Sequence, residues 1–237
     1  MTDIQSEIEE NALIITLNRV DHANSYTQTM LSSIEELVNK ANQNENIRSI
    51  VITGSGNKVF CAGADRNEID SRDWRSILDL KSAVVFKALR ESPKVIIAAI
   101  NGVAVGGGFE LALSCDIRIA TPNAKFWLPE LEFGLLPAAA AVNLLPKYIG
   151  LLKAKDIIIG GAHLTSGEAL SAGLVSEVCK EGDLNNCVSQ WRKQIDKRSS
   201  DAIKLVKRSL EMSANGVDTS QIDLITQALL ATTRKVR

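Results

Sequence analysis

The run GGGFELALSCD, Gly106–Asp116, sets three glycines directly ahead of a glutamate in an otherwise apolar stretch. Glycine carries no side chain, so another group can approach its peptide closely. The glycines follow an apolar run and precede a helix-forming one. That order places bare N–H groups at a helix N-terminus, where they lack intrahelical partners and carry partial positive charge. Such groups can hold an anion or a developing oxyanion. Glu110 falls in the first turn of that helix, among Phe109, Leu111, Ala112 and Leu113. Apolar surroundings disfavour its charged form and raise its pKa, the condition for general acid–base work. The plainer readings are that the glycines allow tight strand–helix packing and that Glu110 only caps its helix.

A second acid lies in FWLPELEFGLLP, Phe126–Pro137. Glu130 follows Pro129, and Glu132 comes two residues later. In an extended stretch both would face the same side, so spacing does not choose between them. An oxyanion site with two carboxyls suggests proton transfer beside a carbonyl.

Other chemistries have less support. The two histidines, His22 and His163, form no H-x-x-x-H pair, so no metal site is expected. No G-x-S-x-G elbow supplies a serine nucleophile. Neither GGG nor GSGNKVF, Gly54–Phe60, completes a G-x-G-x-x-G fingerprint, and no P-loop ending is present. Cys61, Cys115, Cys179 and Cys187 are scattered and read as free thiols.

The elements that position these residues read as an α/β chain. Ala12–Arg19, Ile47–Gly54, Val95–Gly102 and Asp116–Thr121 are expected strands, the third buried on both faces. Thr27–Asn44 reads as a helix capped by Thr27, with Met30, Ile34, Leu37, Val38 and Ala41 on one face. Arg72–Glu91 reads as polar and helical, and the chain from Asp183 onward as charged and helical. No linker, low-complexity tract or clean sequence repeat appears.

The chain has 237 residues, a formal net charge of −1 and 23% charged residues. Nothing in that balance attracts nucleic acid or an anionic membrane. KLVKRS, Lys204–Ser209, reads as a solvated helix face. No apolar run is long enough for a membrane helix, and the N-terminal stretch is acidic where a signal peptide would be basic and then apolar. A cytoplasmic location is the expectation.

Taken together, FCAGAD (Phe60–Asp65), AAINGVAVGGGFELALSCDIRIAT (Ala98–Thr121), FWLPELEFGLLP and GEALSAGLVSEV (Gly167–Val178) resemble the enoyl-CoA hydratase/isomerase, or crotonase, superfamily. The resemblance covers about residues 8–215. It implies a crotonase-like α/β fold: repeated β-β-α units form a spiral core over residues 1–180, and residues 181–237 form a helical, oligomerising part. It implies a thioester substrate carried on coenzyme A or a carrier protein, and no separate cofactor. The backbone N–H groups of Ala64 and Gly107 would form the oxyanion hole. The two hydratase acids would be Glu110 and Glu130, which selects Glu130 over Glu132. Ala23, Ala62, Asp65, Arg66, Asn67 and Gly106 would line the coenzyme A path; the family's basic residue near Asn67 is missing, and Arg66 is the candidate substitute. Trp74, Pro137, Ala138 and Ala141 would line the acyl pocket. The implied reaction is reversible addition of water across a C2–C3 double bond. Isomerisation, dehydration or decarboxylation of a carrier-bound intermediate, and binding without turnover, are the alternatives.

The chain departs from that pattern elsewhere too, first in lacking the usual proline at Val95, with Pro93 two residues earlier. AAAAV, Ala138–Val142, replaces a glycine-rich stretch, either crowding the site or stiffening a helix. The C-terminal part, ending LLATTRKVR, is shorter than usual for the homotrimers and hexamers that the resemblance implies.

Overall fold

The computed structural model describes residues 2–234. The chain opens with the hairpin β1 (Ile4–Glu9) and β2 (Ala12–Leu17), then the helix α1 (Gln28–Gln43). Thr27 caps α1, its side chain accepting from the Met30 N–H at 3.2 Å. Met30, Ile34, Val38 and Ala41 are buried as their helical spacing predicts, and Leu37 is partly buried.

From there the chain winds as a spiral. β3 (Ser49–Gly54) is followed by the short β4 (Val59–Cys61) and the helices α2 (Arg66–Asp70), α3 (Trp74–Leu78) and α4 (Lys81–Glu91). The stretch expected as one helix therefore breaks at Asp79–Leu80. The next turn is β5 (Val95–Ile100), β6 (Val103–Val105) and α5 (Gly107–Leu113). The third is β7 (Ile117–Ala120), β8 (Lys125–Trp127), a 3-10 turn at Glu130–Phe133, α6 (Ala141–Ile149) and α7 (Leu151–Ile158). Then come β9 (Leu164–Thr165), α8 (Ser166–Ser171), β10 (Glu177–Val178), and the helices α9 (Leu184–Asp196), α10 (Ser200–Ala214) and α11 (Ser220–Arg234).

Each turn gives one strand to each of two sheets. Among the described residues, the larger sheet runs β1-β2-β3-β5-β7-β10 and the smaller β4-β6-β8-β9. β3, β5 and β7 are parallel neighbours in one, and β4, β6 and β8 in the other. β5 is buried along its whole length, with its faces split between two cores. Ile96, Ala98 and Ile100 face the main core, whereas Ile97 and Ala99 face a second one closed by Cys187, Val188 and Ile195 of α9. The isoleucines and Val188 among them each contribute about 1.5–3 kcal/mol on burial. All four cysteines are buried free thiols.

Candidate active site

Three parallel neighbours of the smaller sheet end at one place. Ala64 lies just beyond β4, Gly107 just beyond β6 and Glu130 just beyond β8. The repeat places these residues together, although they are far apart along the chain.

The first two meet through their backbones. Tyr26 pairs with Ala64 as an isolated parallel bridge: the Tyr26 N–H donates to Gly63 O, and the Asp65 N–H donates to Tyr26 O, both at 2.8 Å. In that pattern the Ala64 N–H faces away from Tyr26. A Cβ on Gly63 would lie only 3.1 Å from the Gly107 nitrogen, so the two peptides are in contact. Gly107 is the first residue of α5, where the N–H has no intrahelical acceptor. A side chain at Gly107 would overlap the Tyr26 hydroxyl and come within 2.9 Å of its Cζ.

Glu110, only 3% exposed, hangs from the first turn of α5. Its Oε1 accepts from the N–H of Ala140 at 2.7 Å and of Ala141 at 2.9 Å, at the start of α6. Burial pushes its pKa up, while the Ala139–Ala141 backbone and the Arg90 charge pull the other way. The alanine stretch that replaces the glycines thus reaches Glu110 through its peptides. Arg90 donates to Ser114 Oγ at 3.1 Å, and Ser114 Oγ donates to Glu110 O at 2.8 Å.

Glu130 is half-buried. Its Oε2 is buried without a hydrogen-bond partner among the described residues. Burial raises its pKa to about 7, its own backbone N–H opposes the rise and the Glu110 charge adds to it. Glu132, in contrast, is exposed. The expectation that both would face one side fails because Glu130–Phe133 forms a 3-10 turn. Residues two apart diverge on such a turn, whereas they align on a strand.

The other candidate residues lie at different distances from this centre. Gly106 touches it directly: at φ +53° a Cβ there would lie 2.7 Å from Glu130 Oε1. Ala23 takes a left-handed conformation, and its carbonyl accepts from the Ala62 N–H at 3.1 Å. Asp65 turns inward onto Arg19 at 3.0 Å and caps α2 through the Asn67 N–H. The Arg19 guanidinium lowers the Asp65 pKa. Asn67 is exposed, as is Arg66, which sits over the Phe133 ring at 5.9 Å. Pro137 is buried and Ala138 exposed. Ala141 is wholly buried and meets Glu110 through its N–H rather than its methyl. Trp74 is 63% exposed, with Arg75 over its ring at 4.5 Å. Sequence reasoning passed over Tyr26, whose only local signal is its place just before the Thr27 cap.

Among the described residues, no cluster of three or more His, Cys, Asp or Glu could hold a metal ion, and no helix is long and apolar enough to cross a membrane. A concavity of about 670 Å³ lined by Asn57, Asn101, Asn123 and Asn185 among others includes none of the candidate residues.

A two-sheet α/β spiral with a helical C-terminal part defines a crotonase-type fold. The chain belongs to the enoyl-CoA hydratase/isomerase family, whose family model matches residues 7–236. It is similar to the short-chain-enoyl-CoA hydratase of Clostridium acetobutylicum, 31% identical over 89% of this chain and 81% of that one. It is also similar to the 1,2-epoxyphenylacetyl-CoA isomerase of Escherichia coli, 29% identical over 94% and 87%. The solved structure of an enoyl-CoA hydratase from Bacillus anthracis superposes with a TM-score of 0.89 at 30% identity, covering 96% of this chain and 89% of that one.

Proposed function

We propose that this protein is an enoyl-CoA hydratase-type hydro-lyase that adds water reversibly across the C2–C3 double bond of an acyl thioester. The carrying observation is the pairing of two carboxyls in unequal environments. Burial raises both pKa values, but Glu110 is held by two N–H groups that favour its ionised form, whereas a buried oxygen of Glu130 has no such partner. These environments support assigning Glu110 as the base and Glu130 as the acid.

In this reading the thioester oxygen lies against the Ala64 and Gly107 N–H groups. Glu110 takes a proton from water as its oxygen bonds to C3. The C2–C3 π electrons move toward the carbonyl, and the enolate oxygen gains from each N–H donor about 3–4 kcal/mol. Glu130 then protonates C2 to give the 3-hydroxyacyl thioester. The cycle closes when Glu110 returns its proton to Glu130 through solvent. The scheme calls on no metal or redox cofactor. The coenzyme A portion would pass Ala23, Ala62 and Asp65–Asn67.

A homotrimer or hexamer belongs to the same proposal. Its support is the apolar surface of the last helices, where Val206, Leu210, Leu224, Ile225 and Leu229 are exposed.

The test is to follow the enoyl chromophore of crotonyl-CoA with wild type, Glu110→Gln and Glu130→Gln. Chromophore loss with wild type, slowed about 10²–10⁴-fold in each variant, is the expected result. Acetyl-CoA binding without chromophore loss would discard hydration and turn the search to isomerisation.

A further inference from the structure

The Tyr26 backbone bonds both neighbours of one candidate oxyanion donor, while its side chain abuts the other. Its N–H and C=O bond Gly63 and Asp65, the two neighbours of Ala64, each at 2.8 Å. Its side chain crosses to α5, where Oη, Cζ and Cε1 are the nearest atoms to the place a Gly107 Cβ would occupy. Cζ and Cε1 would stand 2.9 and 3.1 Å from that Cβ, so the ring rests on the Gly107 backbone itself.

The ring is itself braced. It is 3% exposed and meets Phe86 of α4 edge-on, with centroids 5.8 Å apart at 85°. Burial raises the hydroxyl pKa far above the ordinary tyrosine value, and the Glu110 charge adds to the rise. Tyr26 therefore remains neutral and makes no charged contact with the thioester oxygen.

We propose that Tyr26 is a positioning residue that sets the separation of the Ala64 and Gly107 N–H groups, holding the first through its backbone and bracing the second through its side chain. The inference rests on the oxyanion role given to those two groups above. An oxyanion hole works only when both donors point to the position of the developing charge. Removing the brace lets α5 settle toward the space it leaves. The Gly107 N–H then leaves its place relative to the Ala64 N–H, while the coenzyme A path keeps its own residues.

The test compares Tyr26→Leu, which removes all three bracing atoms, with Tyr26→Phe, which keeps two of them. Two readouts are used. One is kcat against KM on crotonyl-CoA. The other is the fraction of bound acetoacetyl-CoA present as enolate at fixed pH, read by its near-ultraviolet absorbance. Tyr26→Leu is expected to lower kcat about 10–100-fold, leave KM within about threefold and reduce the bound enolate in parallel. Tyr26→Phe is expected to restore most of both. Thermal melts check the fold, and Tyr26→Met replaces the leucine variant if the latter does not fold. Unchanged kcat and enolate fraction in the folded variant would overturn the proposal. So would a phenylalanine variant as impaired as the leucine one, since that would give the effect to the hydroxyl's chemistry. If wild type itself neither hydrates crotonyl-CoA nor binds acetoacetyl-CoA as enolate, the functional reading has failed and the bracing proposal falls with it. A competent wild type with indifferent variants fails the brace alone.

Discussion

Glu130 lies against Gly106 so closely that one added methyl group would come within 2.7 Å of its Oε1. Gly106 also holds φ +53°, a conformation L side chains rarely adopt. Its carbonyl accepts from the Glu110 N–H at 3.0 Å. One glycine therefore touches both acids. Gly106→Ala is expected to cut the hydration rate more than about tenfold, because Glu130 must move off its line. Acyl-CoA affinity, measured by calorimetry, should stay within about threefold. A wild-type rate would show that Glu130 does not depend on this contact.

The pH–rate profile should fall on its alkaline side near pH 7, where Glu130 loses the proton it is proposed to deliver. The acid limb belongs to Glu110, raised by burial, and should lie above the ordinary glutamate value. Glu130→Gln should abolish the alkaline limb along with most of the rate. A flat profile from pH 6 to 9 in wild type would contradict Glu130 as the acid.

Glu130 also makes a prediction for stability. Its folded pKa lies above its unfolded value, so the folded state binds the proton more tightly. Its contribution is greatest at low pH and is lost as pH rises through about 7. Glu130→Gln should therefore gain stability relative to wild type at pH 8 by about 1–2 kcal/mol, after discounting for partial exposure, and little at pH 5. Urea melts at the two pH values measure the difference. A gain larger at pH 5 than at pH 8 would reverse the sign and refute the assignment.

Asp65 behaves in the opposite sense. Arg19 holds its pKa below the usual aspartate value, so the ion pair's contribution is present at neutral pH and lost as pH falls through that lowered value. Both side chains are largely buried. Asp65→Asn should cost about 1–3 kcal/mol at pH 7, because it leaves the largely buried arginine with only Asp3 at 3.6 Å as a charged partner. The loss should shrink at pH 3, as thermal melts across pH would show.

The sequence made α1 and β5 legible because each carries a long, regular pattern ending in recognisable signals. Thr27 caps the first, and an unbroken apolar run marks the second as buried on both faces. Glu110 was legible as an acid among apolar neighbours. The strands β4, β6 and β8 were not, because three residues are too few to show a period. Family resemblance, not spacing, separated Glu130 from Glu132, since the 3-10 turn that divides them leaves no pattern of its own. The Ala140 and Ala141 contacts to Glu110 run through peptide N–H groups 30 and 31 residues away. Backbone donors of this kind have no letter in a sequence. Tyr26 escaped for a related reason: its contacts are set by where the spiral returns, not by its neighbours.

The spiral also sets an order along the chain. The first two turns of the spiral carry Ala64, Gly107 and Glu110, but neither Glu130 nor the start of α6. Glu130 comes only with the third turn, and the start of α6 then supplies the two N–H donors to Glu110. In chain order, the two proposed oxyanion donors therefore precede the elements that complete the proposed acid–base pair. The last coil of the core is the one that brings the pair together.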